Sequence, residues 1–157
     1  MRNKAFIESV LLSDDLNGSI IELDNHICEL CSWGGDLEHL TEHEKNFYYN
    51  QELEREINNG GFSQYFYNSG GSFAHNTIHS LKLIGANKTA GILQEAINQF
   101  PNSIVPTDHE ERQSAIELVQ DKANEVWEEL DQKFFLYEDD LNALNIDYVK
   151  RNISAFI

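Results

Sequence analysis

Basic side chains are scarce in this chain and unevenly spread. Eleven Lys and Arg stand against 27 Asp and Glu, a net charge of −16. Between Ala5 and Glu44 there is no Lys or Arg at all. Direct nucleic-acid binding, which needs clustered cations to replace counterions, is excluded on that ground. No run of about 20 apolar residues exists, which excludes a membrane-spanning helix. The opening Met1-Arg2-Asn3-Lys4-Ala5-Phe6-Ile7-Glu8 lacks a long apolar segment and a small-residue cleavage site, which predicts a cytoplasmic protein. Cysteine is limited to Cys28 and Cys31, set inside a helical pattern, as suits a reducing compartment rather than a disulfide framework. The only prolines, Pro101 and Pro106, flank the one obvious loop. Strand-type alternation is nowhere sustained, and there is no internal repeat.

What is present reads as all-α: a single domain over residues 1–157, of about six or seven helices. A helix over about 17–33 carries Ile20, Ile21, Leu23, Ile27, Leu30 and Cys31 and breaks at Gly34-Gly35. A second begins near Thr41, where Thr41 and Glu44 form a capping-box pattern, and runs through Phe47, Tyr48, Leu53 and Ile57. A helix over about 73–84 stops at Gly85, and Asn87 is placed to cap the next, which holds Ile92, Leu93, Ala96, Ile97 and Phe100. Thr107 and Glu110 repeat the capping-box pattern ahead of the longest helix, to about 131, and a last helix starts near 139. Residues 1–16 are left open between packed and loose, since Ser13-Asp14-Asp15-Leu16-Asn17-Gly18 reads as a break.

The most distinctive stretch runs Asn58-Asn59-Gly60-Gly61-Phe62-Ser63-Gln64-Tyr65-Phe66-Tyr67-Asn68-Ser69-Gly70-Gly71. Gly60 and Gly61 can take positive φ at little cost and so end the preceding helix sharply. Phe62, Tyr65 and Phe66 recur at three- and four-residue spacing, which predicts a short helix over about 62–68 with its aromatics in the core. Gln64 and Asn68 are read as ties around this glycine corner rather than as ligand contacts.

This stretch, with the downstream Ile84-Gly85-Ala86 helix end and Ala96, resembles a bacterial family of small helical proteins typified by a nineteen-kilodalton DNA mimic. The likeness covers roughly residues 40 to 135. The family residues it carries over are Asn58, Asn59, Gly60, Gly61, Phe62, Gln64, Tyr65, Phe66 and Gly85. The resemblance implies a non-enzymatic homodimer that takes no cofactor. It would occupy the basic DNA-binding surface of a transcription factor, a helix-turn-helix regulator for instance, and keep it off its operator.

The charge pattern agrees. On the long helix Glu110, Glu117, Asp121, Glu125 and Glu128 share one side, while Ile116, Val119, Ala123, Val126, Trp127, Leu130 and Phe134 fill the other. Leu118 is the one apolar residue on the acidic side, and only Lys122 and Lys133 relieve the stripe. Carboxylates four apart stand about 6 Å apart along the axis and repel one another, so the pattern favours an outside use. Glu22, Glu29 and Glu42 extend the set of candidate partner-binding acids. Duplex DNA carries one charge per about 1.7 Å of axis. A domain about 40 Å across would match roughly 23 phosphates by that spacing, the order of the net charge here. One stripe is sparse for this purpose, so the N-terminal acids would have to share its face or a dimer would have to pool them.

Two other uses of the same residues stay open. One is an acidic immunity or antitoxin-like inhibitor of a basic toxin or nuclease. The other is a small ligand-binding or metal-dependent domain built on His39/His43 or His75/His79. Each pair stands four apart, as two ligands of one metal can, but no third ligand is fixed and neither pair forms His-Glu-x-x-His. Cys28 and Cys31 have a redox spacing without the preceding strand that such a site needs, and are read as core. Neither glycine pair follows a strand or precedes Lys-Ser/Thr, so no phosphate loop is expected.

Overall fold

The computed structural model describes residues 2–157, and in it the chain is all-helical. Seven α-helices occur among the described residues: α1 (Lys4–Leu12), α2 (Leu16–Leu30), α3 (Glu42–Tyr67), α4 (Ala74–Leu83), α5 (Asn87–Ile97), α6 (His109–Phe134) and α7 (Leu141–Arg151). Helix α3 is the hub: α6, α4, α2 and α7 all pack on it, α5 bridges α4 and α6, and α1 packs on α2. This explains why Phe47, Tyr48, Tyr49, Asn50, Gln51 and Leu53 form an almost unbroken buried run. A helix enclosed by others has no wet face to reserve for polar residues. Two of the buried amides pair across helices: Asn50 donates to Asn145 Oδ1 at 3.1 Å and accepts from the Ser80 hydroxyl at 2.6 Å, tying α3 to α7 and α4.

The helix ends follow local chemistry, with two corrections to the expectations above. Asn3, Asp15, Thr41 and Asp140 each accept a backbone N–H in the first turn of the helix they precede. The Thr41/Glu44 capping box forms in full. The cap of α6, however, is Asp108 rather than Thr107, its carboxylate accepting from Glu111 N. Nor does Asn87 cap α5. That helix starts after Ala86, and the carboxylate of Asp139, remote in sequence, accepts both Thr89 N (2.8 Å) and its hydroxyl (2.9 Å). At the far end of α4, Gly85 takes φ +86°, and Gly85 N and Ala86 N close back on Lys82 O and Leu81 O. This is a left-handed helix stop that favours glycine.

The N-terminal segment is packed. Ile7 and Val10 of α1 are buried, and Arg2 makes a two-pronged contact with Glu44, at 3.0 and 2.7 Å. Glu44 is 0% exposed and also accepts from Thr41 N, so the carboxylate is fully engaged inside the protein. Helix α2 ends in a turn in which Ser32, Trp33 and Gly34 all have positive φ, leaving Trp33 68% exposed. Ile21, expected with the inward set of α2, is exposed. Cys28 and Cys31 are both buried free thiols. Burial and the neighbouring Asp24 push the Cys28 thiol up to about 12, so it is an inert core group.

Candidate functional site

Helix α6 is built from two opposed surfaces. Its inner side sends Ile116, Ala123, Trp127, Leu130 and Phe134 into the core. Trp127 lies 5.2 Å from Phe66 and 5.9 Å from Phe100, centroid to centroid, and donates its indole N–H to Ala96 O at 3.1 Å. These contacts fix the rotation of α6 about its axis. That rotation turns Glu110, Glu117, Asp121, Glu125 and Glu128 outward, and all five are exposed. Among the described residues none of the five has a Lys, Arg or His within ion-pair distance. Lys133, which sequence spacing sets against the stripe, turns to Glu95 of α5 instead, at 3.6 Å. Leu118 stands among these acids and is 81% exposed.

Opposite the C-terminal half of α6 stands the glycine corner. Gly61 has φ 76° and ψ −173°, a backbone open essentially to glycine alone, and it interrupts α3. The chain turns helical again at once, so Gly61 ends the preceding helix and the expected short aromatic helix follows it as the last turns of α3. Its first free N–H, at Phe62, is taken by Asp131 Oδ1 of α6 at 2.8 Å. Phe62, Tyr65 and Phe66 are all fully buried. Asn58 donates to Glu54 O and to the Tyr137 hydroxyl, while Gln64 and Asn68 both donate to Glu56 Oε2, at 3.1 and 2.8 Å. These amides hold the corner, as expected of them. Asn59 and Gly60 are exposed on its rim.

Between corner and helix runs an open groove of about 720 Å³. Asn58, Asn59, Gly60 and Gly61 form one wall, and Glu125, Glu128, Glu129 and Asp131 line the other, with Phe135 at its end. Burial, and then the nearby Glu128, push the Asp131 carboxyl above its ordinary range, opposed by the bond from Phe62 N. The groove thus joins two of the expected acids, Glu125 and Glu128, to the glycine motif. Sequence reasoning missed Glu129 and Asp131. Charge spacing on α6 was a signal available for Glu129, but nothing local connects Asp131 to Phe62.

The remaining expected acids stand elsewhere. Glu22 and Glu29 on α2 border a separate cavity of about 420 Å³ with Asn3, Phe6 and His26. Glu42 is exposed in the first turn of α3 but is held by Lys45 at 2.8 Å. Three of the four paired histidines are engaged singly, and His79 is exposed. His39 pairs with Asp36, His43 meets the Tyr148 hydroxyl at 2.7 Å, and His75 Nε2 accepts Val105 N–H at 3.0 Å. Among the described residues no group of three or more His, Cys, Asp or Glu is arranged to hold a metal ion, and no helix is long and apolar enough to cross a membrane.

The family model described as DMP19-like protein matches residues 38–152. The chain belongs to the DMP19-like family. The match spans α3 to α7, so it includes the glycine corner, the acidic stripe and both walls of the groove, and reaches beyond the segment that carries the sequence resemblance. No curated protein and no solved structure matches the chain. DMP19-like membership supports a DNA-mimic role at the level of the family.

Proposed function

We propose that this DMP19-like chain is a non-enzymatic DNA mimic whose α6 face occupies the basic DNA-binding surface of a regulator. The observation that carries this reading is the row Glu110, Glu117, Asp121, Glu125 and Glu128, exposed and without an ion-pair partner among the described residues. The row spans about 27 Å at the rise of an α-helix. Carboxylates held there by a packed helix cost little to organise when a cationic surface arrives. They also steer its approach through long-range attraction. The groove beside Gly61 continues the row with Glu129 and Asp131. The partner is a protein that presents Lys and Arg where it would otherwise hold phosphates, and a homodimer would double the length of the acidic track.

Reversing Asp121, Glu125 and Glu128 to Lys tests the reading directly. Wild-type protein should capture a DNA-binding partner from native cytoplasm, and DNA bearing the partner's operator should compete for it. The triple variant, with unchanged helicity, should capture nothing. Raising salt severalfold should weaken the wild-type complex steeply. A complex indifferent to salt and to the three reversals would refute the assignment.

A further inference from the structure

Gly60 lies between two cavities rather than beside one. It lines the acidic groove of about 720 Å³ and also a second cavity of about 390 Å³, nearer the N-terminus of α6. On α6 the second is lined by Ile116, Gln120 and Asn124, and the first takes over at Glu125, so the two meet across Gly60 as one furrow. From Ile116 to Phe135 the furrow follows α6 for about 28 Å at the helical rise. Gly60 keeps the join open. A Cβ there would fall 2.1 Å from Gln64 Oε1, so any larger residue would have to push Gln64 aside.

The two halves differ in chemistry. One is lined by Glu125, Glu128, Glu129 and Asp131. The other carries no charged side chain. In it Ser63, Gln120 and Asn124 are exposed, and among the described residues their side chains make no hydrogen bond within the chain. Gln64 and Asn68, by contrast, are already committed to Glu56 and serve as wall. Tyr67, 55% exposed, closes the far end near His109.

These features specify the occupant. Among the described residues the carboxylates form no group that could hold a metal ion, so they suit separated cations carried on one chain. The exposed amides and hydroxyl can pair with peptide groups, and an extended backbone offers such groups at every residue. A helix spends them on its own hydrogen bonds, and a polyamine has no carbonyl to accept from an amide. At about 3.3 Å per residue the furrow holds roughly eight extended residues. Basic arms of DNA-binding proteins lie in the minor groove of DNA in this way.

We propose that the furrow between the glycine corner and α6 holds an extended basic arm of the partner protein, as a minor groove would. This rests on the DNA-mimic reading of α6 and adds which part of the partner enters. Its Lys and Arg side chains meet the carboxylates of the acidic half. Its peptide carbonyls accept from Gln120 and Asn124, and an arginine stacks over the Tyr67 ring.

The probe is the capped heptapeptide Arg-Pro-Arg-Gly-Arg-Pro-Lys, whose prolines keep it extended. Spermine carries the same charge without carbonyls, and a capped alanine-rich helix with the same cations hides its backbone. Titrated into the full chain, the heptapeptide should bind at least about tenfold more tightly than either control. It should shift the side-chain amide resonances of Gln120 and Asn124 and the Gly60 N–H. The double variant Gln120→Leu, Asn124→Leu, changed only at exposed helix positions, should weaken the heptapeptide about tenfold and leave spermine unchanged. Glu125→Gln with Glu129→Gln should weaken both. Backbone spectra establish that the variants are folded. Equal affinity for the heptapeptide and either control, shifts confined to the acidic half, or a Gln120→Leu, Asn124→Leu protein that binds as wild type does would each overturn the proposal. Capture of an operator-competed partner with no binding of the heptapeptide would refute the arm alone. Heptapeptide binding with no such partner would refute the mimic reading and leave the ligand chemistry of the furrow standing.

Discussion

Asp131 of α6 caps the restart of α3 at Phe62, so the acidic helix and the glycine corner are one mechanical unit. Gly61 frees the Phe62 N–H, and a carboxylate remote in sequence receives it. Asp131→Ala should destabilise the fold by about 1–3 kcal/mol, the cost of a buried donor left unsatisfied. Gly61→Ala should cost about 1–3 kcal/mol from backbone conformation alone. A Cβ there would also strike the Asp131 carboxylate. Urea denaturation of each variant measures both. A Gly61→Ala protein as stable as wild type would show that the positive φ is dispensable.

Arg112 is 1% exposed and, among the described residues, has no carboxylate within ion-pair distance. Its guanidinium instead collects carbonyls at the end of α3 and in the loop before α6: Phe66 O at 2.7 Å, Asn68 O at 3.1 Å, Pro106 O and Thr107 O at 3.1 Å. A fixed positive charge at a helix C-terminus answers both the orphan carbonyls and the dipole. Arg112→Lys keeps the charge but cannot reach so many acceptors at once. It should lower stability by about 2 kcal/mol or more through unsatisfied carbonyls. Amide exchange should speed up first around residues 66–72.

Removing Arg2 should be costly for a residue so near the N-terminus. Arg2→Ala leaves the Glu44 carboxylate, fully enclosed, without its cation. Only Glu44 of this pair is buried, so solvent screening at Arg2 brings the cost below that of a fully buried pair, to about 1–3 kcal/mol. The double variant Arg2→Ala, Glu44→Gln should recover part of the loss. Thermal melts of the three proteins close the cycle.

How far the sequence made this legible depends on the range of the interaction. The three-to-four residue recurrence of Phe62, Tyr65 and Phe66 is a local pattern, and it correctly put these rings inside. Gly85 as a helix stop and the Thr41/Glu44 box are likewise set by neighbours along the chain. The acidic side of α6 was legible because an apolar stripe fixes which side is left for water. Asp139 capping α5, Arg112 capping α3 and Asp131 capping Phe62 were not. In each, the donor and acceptor meet only after helices pack, and nothing near either residue marks the other. Ile21 was misplaced because the period of α2 gives the direction of a side chain but not whether a neighbouring helix covers it.

Acid should stabilise this protein before it harms it. Burial raises the Glu54 carboxyl above its ordinary 4.5 and the Asp131 carboxyl above its ordinary 3.8. The folded chain therefore binds these protons more tightly than the unfolded chain. Stability from this source rises as pH falls through the folded values and gains nothing further below the ordinary ones. Partial neutralisation of a chain with net charge −16 acts in the same direction. As pH is lowered from neutral toward the ordinary carboxyl values of 4.5 and 3.8, melting temperature should climb, with a shallower slope in Glu54→Gln. A monotonic fall over that interval would contradict the burial assigned to these groups.

Because the five outward α6 carboxylates have no ion-pair partner among the described residues, the free protein in solution must gather a loose sheath of mobile sodium or potassium ions along that edge. Docking of a polycationic protein would set those ions loose, as happens along a nucleic acid. The drive for such a union would then be chiefly the disorder gained by the liberated ions, and calorimetry would record it as entropy with little heat.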